Sequence, residues 1–169
     1  MPEASVKAGL LFFPQQGIFL SLKIQVMNKN GPVIIIEDDE DDKEILQEIF
    51  RKLNYSNEVA FFSDGEKALA YIAKDDILPF LILSDINMPK LNGLELKKKI
   101  HTDKQLQVKC IPYLFFTTSA SKKSVIDAYS MSAQGFFIKD TSTSELEATI
   151  RTIMEYWSKC YSPNQYSME

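Results

Sequence analysis

Leu81-Ile82-Leu83-Ser84-Asp85-Ile86-Asn87-Met88-Pro89-Lys90-Leu91-Asn92-Gly93 is the stretch whose reading decides the fold of this 169-residue chain. The apolar run Phe80 to Leu83 fits a buried strand, and Asp85 follows at its tip. Met88-Pro89 disfavours helix and Asn92-Gly93 is turn chemistry, so Asp85 is followed by a shaped loop before a helix from about Leu94 to Ile100 or His101. One acid at a strand end is ordinarily a cap or a solvated group. A second acidic group, Glu37-Asp38-Asp39, also follows an apolar strand, and the pair of acidic strand ends is what raises the question of a site.

Working outward, apolar strand and amphipathic helix alternate five times from Val33. That alternation is the pattern of a parallel sheet covered on both faces, an α/β doubly wound architecture. Val33 to Ile36 reads as the first strand, Glu58 to Phe62 as the second, Phe80 to Leu83 as the third, Tyr113 to Phe116 as the fourth and Phe136 to Ile138 as the fifth. The first helix carries Ile45, Leu46, Ile49, Phe50 and Leu53 on its apolar stripe, with Asp39 as its N-cap. Asp64-Gly65 opens the second helix, which carries Ala68, Leu69 and Ile72 and ends near Asp75-Asp76. Lys97 to Lys99 read as a solvated basic face on the third, and residues 102–109 as a polar loop. The fourth runs from about Ser121 to Met131 with Val125, Ala128 and Tyr129 inward. The last begins at Ser142 and Glu145, at capping-box spacing, and runs through Leu146, Ile150, Ile153, Met154 and Trp157.

Composition narrows the partners. Twenty-three acidic residues against 19 basic, with a pI near 5.1, disfavour direct nucleic-acid binding. Cys110 and Cys160 stand in no metal-ligand spacing and suit a reducing compartment, the cytoplasm. The apolar segments Leu10 to Phe13 and Ile18 to Leu20 are divided by Pro14-Gln15-Gln16-Gly17, so neither reaches the ~18 residues of a membrane span. Lys7 gives only a thin basic region for a signal peptide. The organisation expected is an N-terminal extension over 1–30, dispensable or a docking arm with Met27 as an alternative start, one domain over 31–159, and a frayed tail over 160–169.

In an open parallel sheet, functional residues gather at the carboxyl ends of the strands. Here that rule brings Glu37 and Asp38, Asp85, Thr117 and Lys139 to one rim. Two like charges ~4 Å apart cost ~4 kcal/mol at an effective dielectric of ~20, so packed carboxylates call for a cation. Lys139 offsets one. A hard divalent ion suits the rest, and Mg²⁺ fits because it accepts one or two carboxylates while keeping waters for phosphate oxygens. Such a site is suited to receiving a phosphoryl group, with Asp85 as nucleophile.

The ordered set resembles the response-regulator receiver domain of two-component signalling, over roughly Pro32 to Lys159. The motifs are the acidic pair after the first strand, D-x-x-M-P-x-L-N-G from Asp85 to Gly93, Thr117 after the fourth strand and Lys139 after the fifth. The resemblance implies a flavodoxin-like sheet of order 2-1-3-4-5. It implies phosphoryl transfer to Asp85 from a sensor histidine kinase or a histidine phosphotransfer protein. Asp38 would bind Mg²⁺ directly, Glu37 through water, and Asn87 through its backbone carbonyl. Thr117 and Lys139 would contact the phosphoryl group and Phe136 would be the aromatic switch, without the hydroxyl that a tyrosine carries there. Asn87 and Ser119 would tune the lifetime of the aspartyl phosphate. Asp140 stands where the family usually has proline after a cis peptide, which points to a trans bond here. The Thr117 to Ser121 run is similar to stand-alone receivers, including those paired with phytochrome-type kinases.

On this reading the chain is a phosphoacceptor signalling domain, not an enzyme. It would switch a surface of helix four, strand five and helix five toward a downstream protein or a second copy of itself, with no nucleic acid or membrane as partner. Two rivals stand beside it. A haloacid-dehalogenase-type hydrolase would want a second acid where Asn87 stands. A receiver-like scaffold independent of phosphorylation is the other. A flavin-binding protein would find its phosphate repelled by Glu37-Asp38-Asp39. His101 reads as a surface residue.

Overall fold

The computed structural model describes residues 10–13, 18–21 and 29–161. Met27 and most of the expected tail lie outside them. Near the N-terminus, β1 (Leu10–Phe13) and β2 (Ile18–Ser21) pair antiparallel, Leu10 opposite Ser21 and Phe13 opposite Ile18.

The body is built on β3 (Val33–Ile36), β4 (Val59–Phe62), β5 (Leu81–Ser84), β6 (Tyr113–Thr117) and β7 (Gly135–Ile138), all parallel, in the order β4-β3-β5-β6-β7. Counted along the chain this is the expected 2-1-3-4-5. Side chains alternate faces along each strand. Ile34, Ile36, Ile82, Tyr113 and Phe115 enter one core, while Val33, Ile35, Leu81, Leu83, Leu114 and Phe116 enter the other. The central strands are therefore apolar on both sides, and both faces must be covered.

The helices supply that cover. α1 (Glu40–Leu53) and α6 (Thr143–Lys159) pack on the second core through Leu46, Ile49, Phe50, Leu146, Ile150, Ile153 and Met154. α2 (Gly65–Ile72), α3 (Gly93–Thr102) and α5 (Lys122–Ser130) cover the first through Ala68, Ile72, Leu96, Ile100 and Ala128. Each helix start is written in side chains. Asp39, Asp64, Asn92, Ser121 and Ser142 accept hydrogen bonds from backbone N–H groups of their first turns. Asn92 with Glu95 closes a full capping box directly behind the Asp85 loop.

Four sequence expectations are corrected. The 102–109 segment holds a helical turn, α4 (Lys104–Gln107), capped by Asp103, and it buries Leu106. Ile45 and Tyr129 are 37% and 55% exposed, because the seam each helix turns to the sheet is narrower than its apolar stripe. Lys97 is not on a solvated face: it is buried against the Tyr113 ring, while Lys98 and Lys99 are exposed. The second helix stops at Ile72, several residues before Asp75-Asp76.

Candidate functional site

Sheet hydrogen bonding continues one rung past the strand ends and places the residues that follow them. The Asp85 N–H donates to the Ile36 carbonyl at 3.0 Å, the Glu37 N–H to Phe62 at 2.9 Å and the Lys139 N–H to Thr117 at 2.8 Å. Glu37, Asp85 and Lys139 are thus set by backbone, not by loop chance.

Among the described residues, Glu37, Asp38 and Asp85 each offer a carboxylate oxygen, and the three oxygens lie within 4.8 Å of one another. Glu37 and Asp85 are buried and Asp38 is exposed, so the cluster opens to solvent on one side. The Glu37 carboxylate also accepts the Asp39 N–H at 3.1 Å. Asp85 Oδ1 accepts the N–H groups of Ile86 and Asn87. Asp85 Oδ2 faces the Lys139 ammonium at 3.5 Å.

Lys139 is the cationic centre of the group. Its ammonium pairs with Glu37, with Asp42 at 2.7 Å and with Asp85. Burial alone would lower its pKa, but hydrogen bonds to Asp42 and Glu37 and the nearby charges outweigh it, and the pKa is raised. Burial raises the Glu37 carboxyl pKa despite the Lys139 partner, and burial with the neighbouring Asp85 and Asp39 charges raises that of Asp38. Carboxylates held above their usual range in one cluster are short of positive charge. An all-oxygen donor set of this kind suits a hard divalent cation better than zinc.

Thr117 ends β6 with no exposure, and its Oγ1 has no hydrogen-bond partner. A buried hydroxyl left unpaired costs free energy, so its retention points to an acceptor that arrives later. Phe136 is half-buried on β7 with its ring 5.8 Å from Phe115. Asn87 and Ser119 are exposed beside the cluster in sequence, and His101 is exposed on α3. No cis peptide occurs among the described residues, Lys139-Asp140 included, and Lys139 still reaches the cluster.

Two contributors escape sequence reasoning. Asp42 reads as one more acid in the first turn of α1, yet it holds Lys139. Asp64 reads only as a cap. It is buried, and its carboxylate also pairs with Lys90 at 3.1 Å in the loop after Asp85. The Lys67 N–H and the Lys90 ammonium together hold its pKa below the usual carboxylate range. The positive φ of Lys90, 63°, was the signal least readable in advance.

A parallel five-stranded sheet of this order, with acids, a hydroxyl and a lysine at its carboxyl rim, is the arrangement of a response-regulator receiver domain. The chain belongs to the response regulator receiver domain family, whose profile matches residues 33–151. It is similar to the probable methanogenesis regulatory protein FilR2 of Methanothrix harundinacea, 29% identical over 129 residues that cover 74% of this chain and 82% of that one. Among solved structures it is similar to the phosphorylated cyanobacterial phytochrome response regulator RcpA, with TM-score 0.69, 27% identity and coverage of 77% and 95%. The Mn²⁺-bound form of response regulator Rcp1 aligns with TM-score 0.68, 25% identity and coverage of 76% and 95%. No helix among the described residues is long and apolar enough to cross a membrane.

Proposed function

We propose that this chain accepts a phosphoryl group on Asp85 from a phosphohistidine of a sensor kinase or a histidine phosphotransfer protein, and signals through a changed protein-binding surface. The observation that carries the reading is the juxtaposition of three carboxylates with a buried hydroxyl that has no partner and a lysine shared among acids. That the similar protein RcpA is found phosphorylated and Rcp1 Mn²⁺-bound supports it.

Glu37, Asp38 and Asp85, with the Asn87 backbone carbonyl, are the residues to hold Mg²⁺. The ion would neutralise charge on the phosphoryl oxygens during in-line transfer. The Asp85 carboxylate forms the new O–P bond as the N–P bond of the donor imidazole breaks, and the imidazole leaves with the electron pair. The Thr117 hydroxyl then gains an acceptor and Lys139 a new anionic partner, drawn from Glu37 and Asp42. Repositioning of Thr117 would free space beside β6, and Phe136, its ring tilted against that of Phe115, is the residue that would follow it.

Output would pass through the face of α5, β7 and α6. Ile126, Tyr129, Ile138 and Tyr156 expose apolar surface there, which supports a protein partner or a second copy of the chain. Ser119, short and neutral, offers little help to an attacking water, so the aspartyl phosphate has an intermediate lifetime. Ser119→Glu should shorten it, and decay that is unchanged or slower contradicts this part of the reading.

Transfer from a phosphorylated histidine phosphotransfer domain tests the proposal as a whole. The wild type should take up the phosphoryl group only with Mg²⁺ present, and Asp85→Asn should take up none. Equal uptake by Asp85→Asn contradicts it.

A further inference from the structure

At the end of the sheet opposite Asp85 lies a recess of about 370 Å³ between the second half of α3, α4, the residues leading into β6 and the end of α6. Its walls are mostly apolar, from Ile100, Leu106, Ile111, Pro112 and Trp157. One charged side chain is built into it. Lys97 lines the recess with 5% exposure. Among the described residues no carboxylate stands within ion-pair distance of its ammonium, which instead lies 5.4 Å from the centroid of the Tyr113 ring. The Tyr113 hydroxyl donates to the Gly93 carbonyl at 3.0 Å, and the contact shown between the two side chains is that of the ammonium with the ring.

A surface role is closed to Lys97 by its burial, and a structural ion pair by its surroundings. Buried cations without a counter-charge are rare because the lost hydration is not recovered, and a methionine or leucine would fill the same helix position without that cost. Both glutamine side chains of the recess are already engaged and carry no charge. The Gln134 side chain is held between the Tyr113 N–H and the Ser132 carbonyl, and the Gln107 amide donates to the His101 carbonyl. What is left is one positive charge at the edge of an apolar hollow of a size that small-molecule sites commonly have.

We propose that this recess binds a small organic carboxylate with an apolar body. Its carboxylate would pair with the Lys97 ammonium and its body would lie against Ile100, Leu106, Ile111, Pro112 and Trp157. A carboxylate is favoured over a phosphate ester because one ammonium balances one charge, and no arginine or second lysine lines the walls to balance another. The site is separate from the Asp85 cluster and does not depend on phosphoryl chemistry.

Trp157 is the only tryptophan of the chain and lines the recess, so its emission reports occupancy. Titrating the full chain with cyclohexanecarboxylate should change that emission saturably. Cyclohexanecarboxamide, of the same shape but uncharged, should bind at least about tenfold more weakly for want of the charge-assisted hydrogen bond. Lys97→Met should abolish the preference. A second measurement needs no variant: acylation by an amine-reactive ester, followed by mass mapping, should slow at Lys97 and not at exposed Lys98 when the carboxylate is present. Equal binding of acid and amide, no saturable change, a preference retained in Lys97→Met, or equal acylation of Lys97 with and without the carboxylate would each overturn the proposal.

Discussion

Thr117 and Lys97 both hold a polar group in the interior at a cost, at opposite ends of the sheet. For Thr117 the cost is an unpaired hydroxyl. Thr117→Val keeps the shape and removes the orphan, so the variant should be more stable by about 1 kcal/mol in urea unfolding, while retaining an aspartyl phosphate for a shorter time. A loss of stability would mean that the hydroxyl already has a partner. For Lys97 the cost is desolvation, which lowers its pKa below the ordinary lysine value of 10.5. The ionisable residues that line the recess beside it are His101, Cys110 and Tyr161, with Tyr113 beneath it, and none is a carboxylate. The unfolded chain therefore holds the Lys97 proton more tightly than the folded one, and its penalty is complete below the lowered folded value. The penalty is relieved as pH rises toward 10.5. Lys97→Met should raise stability by about 1–3 kcal/mol at neutral pH, and the gain should shrink in alkaline solution. A gain independent of pH would show that packing, not charge, is responsible.

At the scale of elements, the segment from Asp85 to α3 is a clasp. Its far end is closed by the Asn92–Glu95 box, its middle is tied by Lys90 to Asp64, the N-cap of α2, and Gly93 lies directly on the Asp85 backbone. A Cβ at Gly93 would overlap the Asp85 carbonyl oxygen, which is backbone and cannot swing aside. Gly93→Ala should therefore cost about 1–3 kcal/mol and reduce phosphoryl uptake together, by displacing Asp85. A variant with full uptake would show that the loop has slack. Asn92-Gly93 was legible as a turn because its chemistry is local. The Asp64–Lys90 tie was not, since it joins residues 26 apart in sequence whose meeting depends on how α2 and α3 pack. The short α4 turn was hidden for a related reason: its four residues are too few for a helical period, and only the Asp103 cap marks it.

Across the whole molecule, a parallel sheet could be read in advance because its central strands are apolar on both faces, while its order came from the family resemblance; the rim residues could be read because each stands at the last position of a strand or one or two past it. That rule needs only strand existence, which survives errors in boundaries. It does not say which acid a lysine will hold, so Asp42 was missed, and it does not distinguish the buried lysine of a basic triplet from its exposed neighbours. Both depend on side-chain direction around a helix and on the depth of the seam beneath it. In the proposed function, separate strand ends assemble one metal-dependent phosphoacceptor at Asp85. The most direct measurement is the intact mass of the chain after incubation with acetyl phosphate. The account predicts one added phosphoryl group in the presence of Mg²⁺, none when the metal is chelated and none in Asp85→Asn. No addition to the wild type, or addition that persists in Asp85→Asn, would contradict it.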